Sequence, residues 1–118
     1  MNFLDAINAH VMWKQRLLRY LEGTSEENLD PDHICKDNQC ALGKWIYGNK
    51  DRFGKSPLFE EVRGKHAEFH QTAAQIIRLA NEERKTEAEN LLHGDYSHLS
   101  HNLQARIRKL ARDVESMD

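Results

Sequence analysis

The stretch KHAEFHQTAAQII, residues 65–77, places two histidines, His66 and His70, four positions apart. Residues at that spacing sit on one face of a helix, one turn from each other. The same stripe carries Phe59, Val62, Phe69, Ala73, Ile76, Ile77 and Ala80. An apolar stripe of helical period is the face a helix turns to its core. Two imidazoles among those residues lose water and need partners. Either each finds a hydrogen bond, or both find a metal ion.

The rest of the chain reads as more helices around this one. Ser56 followed by Pro57 is a helix start, a capping hydroxyl and then proline at the first helical position. The spacing predicts a helix from Pro57 to about Asn81. A first helix is expected from about Asn2 to Glu22, with Phe3, Leu4, Ile7, Val11, Leu17, Leu18 and Leu21 as its apolar stripe and Gly23 as its stop. His10 lies on that stripe. The polar segment Thr24–Gln39 contains LDPDH and reads as a loop with at most a turn of helix. CALGKWIYG, residues 40–48, reads as a short helix with Leu42, Trp45 and Ile46 inward, and NKDRFGKS as a second loop. A turn near NEER leads to a helix over about 83–92. HGDYS interrupts it at Gly94, and a last helix covers about 96–116 with Leu99, Leu103, Ile107, Leu110 and Val114 inward. No segment alternates with the period of two that marks a strand. The expectation is an all-α antiparallel four-helix bundle with an additional short helix carrying Cys40, and a single domain over residues 1–118.

Composition narrows the function classes. The 118 residues suffice for one modest core, with 31% charged and 39% hydrophobic residues and a formal net charge of −2. That charge gives no basic field for nucleic acid. The locally basic ARIRKLAR, residues 105–112, has leucine and isoleucine at helical spacing and reads as the solvated face of a packed helix. No apolar run nears the roughly 18 residues of a membrane span, and the N-terminus lacks secretory features. The expected location is the cytoplasm, where Cys35 and Cys40 favour metal binding or reactivity over a disulfide.

Four candidate ligands come from three separate elements: His10, Cys40, and the pair His66 and His70. Three imidazoles and one thiolate suit zinc, which prefers four nitrogen or sulfur donors in a tetrahedron. Spacing leaves a rival set open, in which Cys35 and Cys40 join His66 and His70. His33, His93, His98 and His101 have no matching role and read as loop or surface residues.

Three motifs in register carry a family resemblance: HVMW at 10–13, CALGKW at 40–45 and HAEFH at 66–70. YGNKDRFGKSPLFEEV and LLHGDYSHLSHNL add to it. The sequence resembles the chemoreceptor zinc-binding (CZB) domain family. The resemblance implies one zinc ion per chain held by His10, Cys40, His66 and His70, with Cys35 outside the pattern. It also implies a homodimer and a signalling output, either a chemotaxis receptor or an enzyme that makes cyclic di-GMP. Within the motifs, Leu42 and Trp45 would anchor the short helix and so aim the Cys40 thiolate. Gly43 would admit close approach of another backbone. Trp13 would pack near the site.

Four protein ligands leave no open position for substrate, which zinc catalysis usually needs. In HAEFH the acid Glu68 lies two residues after His66, about 200° around the helix, away from any metal face. The metalloprotease signature, with glutamate directly after the first histidine, is not met. No nucleophile elbow, phosphate loop or dinucleotide fingerprint occurs. A di-iron carrier would need bridging carboxylates beside His66 and His70, and none can be placed there. The expectation is a non-enzymatic sensory module that responds to zinc level or to oxidation of Cys40. The alternative is a purely structural zinc bundle for protein association. No output domain is expected within these residues, and a free-standing protein and an excised domain fit equally.

Overall fold

The computed structural model describes residues 1–117. The described residues are helical, without strands: α1 (Phe3–Glu22), α2 (Pro31–Ile34), α3 (Ala41–Gly48), α4 (Lys50–Phe53), α5 (Pro57–Asn81), α6 (Lys85–Leu91) and α7 (Ser97–Met117). A wider helical turn, Leu92–Tyr96, joins α6 to α7. The helix ends follow local chemistry. Asn2 caps α1 by accepting from the Asp5 N–H at 3.1 Å. Gly23 ends it in the left-handed region at φ +75°, and the Thr24 N–H returns to the Arg19 carbonyl at 2.9 Å. Ser56 caps α5 through the Phe59 N–H at 3.3 Å, with Pro57 in the first turn.

The long helix α5 touches α1, α2, α3, α6 and α7. It buries Phe59, Val62, Phe69, Ala73, Ala74, Ile76 and Ile77, and α7 meets it with Leu103, Ile107 and Leu110. Each large apolar side chain contributes roughly 1.5–3 kcal/mol on leaving water. Along α1, the core face is Phe3, Ala6, Ile7, His10, Leu17 and Leu21. The expected stripe is too wide. Leu4 and Val11 stand 63% and 43% exposed, because each lies one residue, about 100°, past Phe3 and His10 on the core face.

Helix direction also departs from the antiparallel expectation. Phe3 packs edge-on to Trp45, which lies against Phe59 near the start of α5, and Tyr20 hydrogen-bonds Asn81 at its end. Thus α1 and α5 run in the same direction. Tyr96 packs on Phe69 and Arg106 pairs with Glu61, so α7 runs against α5. The cause is the connection over residues 23–56. Antiparallel neighbours need only a short loop, whereas this segment travels back to the starting end of α1. On the way it forms α2, α3 and the extra turn α4, which the sequence reads as loop. Gly94, at φ −98° and ψ −105°, breaks the helical path between α6 and α7 at the expected interruption.

Gly43 shows how tightly the return segment is laid down. A Cβ there would sit 1.7 Å from the Asp37 carbonyl oxygen. The Tyr47 hydroxyl holds the same stretch by donating to Asp37 at 2.6 Å. A Cβ on Gly64, inside α5, meets nothing within 4 Å. Gly43→Ala is therefore expected to lower unfolding stability by about 2 kcal/mol or more through backbone displacement. Gly64→Ala should raise it by up to about 1 kcal/mol through helix propensity. Denaturant titration of both variants checks this, and equal shifts would contradict it.

Candidate metal centre

The parallel run of α1 beside α5 brings His10 level with His66 and His70, and the return segment delivers Cys40. All three histidines are buried, at 3%, 0% and 4% exposure. Cys40 is half-buried and caps α3, its Sγ accepting from the Gly43 N–H at 3.4 Å. A sulfur at a helix N-terminus faces unpaired N–H groups, which favour negative charge. The short helix is anchored by buried Leu42 and Ile46. Trp45 stands among the rings of Phe3, Phe53 and Phe59. These contacts fix the direction of the thiol.

One donor atom from each of His10, Cys40, His66 and His70 lies within 4.8 Å of the others. His66 Nε2 is 3.1 Å from His10 Nε2 and 3.0 Å from His70 Nε2. Cys40 Sγ is 3.2 Å from His66 Nε2 and 3.7 Å from His70 Nε2. A zinc tetrahedron with three nitrogens and one sulfur has donor–donor edges of about 3.3–3.6 Å, from bonds of about 2.0–2.1 and 2.3 Å. These four separations are close to that size.

The protons argue the same way. His10 Nδ1 donates to the Ala6 carbonyl at 2.7 Å, and His70 Nδ1 to the Ile34 carbonyl at 3.0 Å. Each neutral ring then has a bare lone pair at Nε2, aimed inward. A single proton on His66 Nε2 can serve only one of those neighbours. Lone pairs converging in a buried space call for a cation. Burial keeps the rings in the neutral form a metal needs: it lowers His10 to about 4, drives His66 down to about 2 with the His70 and His10 charges adding to the effect, and lowers His70. Burial also raises the Cys40 thiol, against the backbone N–H bonds that lower it. Metal binding would therefore displace the thiol proton.

The two carbonyls are the part of the site that sequence reading misses. Metal-bound histidines usually donate their outer N–H to an acceptor that sets the ring. Ala6 and Ile34 supply this through their backbone, which no side-chain pattern reveals. Among the described residues His66 lacks the equivalent: its Nδ1 is buried without a hydrogen-bond partner. Trp13 is half-buried, with the Arg16 guanidinium 3.7 Å over its ring. Cys35 is outside the four-residue cluster, its Sγ donating to the Asp32 carbonyl at 3.3 Å. His33, His93, His98 and His101 are exposed, and so is Glu68.

The family model of the chemoreceptor zinc-binding domain matches residues 10–77, more than half of the chain. The match begins at His10 and spans Cys40, His66 and His70. The chain belongs to this family. No curated protein and no solved structure matches it. Zinc is accordingly the cofactor, and the cluster of His10, Cys40, His66 and His70 offers a candidate single site for it. No helix among the described residues is long and apolar enough to cross a membrane.

Without metal, the lowered imidazoles tie stability to pH. The unfolded chain takes up protons near pH 6.5, while folded His10 resists until about 4 and His66 further still. The unfolded state binds more protons throughout that interval. The stability is full above about pH 6.5 and is lost as the pH falls toward 4. Melting of chelator-treated protein is expected to drop steadily over this range, with His66→Gln flattening the slope. An unchanged slope would contradict the buried neutral cluster.

Proposed function

We propose, taking membership of the chemoreceptor zinc-binding family as the premise, that this chain is a regulatory zinc-binding module whose ligands are His10, Cys40, His66 and His70. One observation carries the reading: donor atoms from three elements converge within 4.8 Å in a buried space. We read residues 1–118 as one domain, with α1, α5, α6 and α7 forming a bundle of four helices of mixed direction and α3 bringing the cysteine. The module works as a cytoplasmic homodimer without catalysis of its own. It passes its state to an output, either a chemotaxis receptor or a cyclic di-GMP enzyme.

When bound, zinc supplies the positive charge that keeps the thiolate deprotonated and ties α1, α3 and α5 together. His10 and His70 hold their Nε2 atoms inward through the Ala6 and Ile34 carbonyls. Once the ligands are freed, their convergence loses its reason, and α3 can move relative to α1 and α5. Cys40 offers a second input. Its thiolate attacks a peroxide, the O–O bond breaks, hydroxide leaves, and the sulfur, oxidised by two electrons, becomes sulfenic acid. That sulfur is a poorer ligand and a different cap for α3.

The alternative reading, a structural zinc bundle for association, draws on the burial of all three histidines. Response separates the two. Zinc chelation or a mild peroxide is expected to shift the amide exchange of residues 37–48 and the activity of the attached output. A protein that loses zinc with neither change is a scaffold.

Ligand identity is tested separately. Protein purified without added metal should carry one zinc per chain. Cys40→Ser should weaken zinc retention by at least 100-fold in competition with a chelator, more than the about 10–100-fold typical of losing an outer partner. Cys35→Ser should leave retention within a few-fold. Equal losses would favour the two-cysteine set.

A further inference from the structure

A cavity of about 840 Å³ opens between α1 and the return segment, and its lining includes Cys40 and His70. The four-ligand reading gives this space no role. Its size lies within the ~300–1,000 Å³ usual for small-molecule sites. Its apolar part comes from Met12, Trp13, Leu29 and Ile34. Met12 is 55% exposed there, a large apolar side chain left mostly open to solvent.

The charges in the lining are unequal. Arg16 and Lys36 are the cations and Asp30 the acid. The Asp30 carboxylate is already engaged, accepting from the Asp32 N–H at 3.0 Å as the cap of α2. Arg16 stacks on Trp13 and is forked onto Glu27 at 2.7–3.1 Å, which holds the wall of the cavity in place. Lys36 is exposed and makes no ion pair among the described residues. The cavity thus pairs an apolar body with one uncommitted cation.

We infer that the cavity between α1 and α2 binds a small organic anion with an apolar body, its acid group on Lys36 and its body on Met12 and Trp13, and that occupancy slows zinc exchange. The coupling rests on the proposed ligand set and has a physical route. Ile34 lines the cavity and also supplies the carbonyl that orients His70. A ligand that steadies α2 steadies the His70 ring, and it covers the approach to Cys40 and His70.

The aromatic sulfonate 8-anilinonaphthalene-1-sulfonate is a suitable probe, titrated into the zinc-loaded chain. The expected result is saturable binding of one probe per chain. Met12→Glu and Lys36→Glu, both at exposed positions, should each weaken it at least tenfold with zinc content and helix signal unchanged. Saturating probe should slow zinc transfer to a chelator at least threefold. Unsaturable binding, or binding indifferent to both substitutions, overturns the site. Saturable binding with an unchanged transfer rate overturns the coupling. Cys40→Ser separates this proposal from the ligand assignment: if that variant retains zinc fully while still binding the probe, the ligand set fails and the cavity stands.

Discussion

Three imidazole nitrogens and one sulfur lie within 4.8 Å of one another where α1, α3 and α5 meet. Most of the architecture answers to that arrangement. Two of the rings have their outer nitrogens bonded to backbone carbonyls, so their inner lone pairs have nowhere else to point. Lone pairs crowded together at a largely buried site repel one another unless a proton or a cation sits among them. A core built from this many residues is modest, and metal binding can supply much of the free energy that a larger core would provide.

Chain direction serves the same constraint. With α1 and α5 running in parallel, His10 on one and the histidine pair on the other lie at the same height. The return segment must then cross the length of both helices. It fixes Cys40 by capping α3, and it places Ile34 where its carbonyl meets His70. The missing Cβ at Gly43 lets Asp37 lie against α3. Four protein donors of this kind would fill a zinc tetrahedron. The return segment, with its short helices and long course, carries both Cys40 and the Ile34 carbonyl.

Much of this is legible in the letters. The period of 3.6 around His66 and His70, the Ser56–Pro57 start and the Gly23 stop define the helices nearly to their ends. The four clustered residues follow from their types and from the resemblance carried by HVMW, CALGKW and HAEFH; spacing alone leaves Cys35 in contention. Helix direction is not legible, because loop composition does not say how far a loop travels. The exposure of Leu4 and Val11 escapes a sequence reading because an apolar stripe looks wider in the letters than the face that finds a partner. The carbonyls of Ala6 and Ile34 have no sequence signature, since every residue carries one. Trp13 is legible only in part. An aromatic three residues after His10 reads as packing near the site, yet it is half-buried and lines a cavity that also reaches Cys40.

X-ray absorption at the zinc edge reads directly which atoms surround the ion. Protein purified without added metal is expected to hold one zinc per chain, with three nitrogen neighbours at about 2.0–2.1 Å and one sulfur at about 2.3 Å. Two sulfur neighbours, none, or no zinc at all would contradict it.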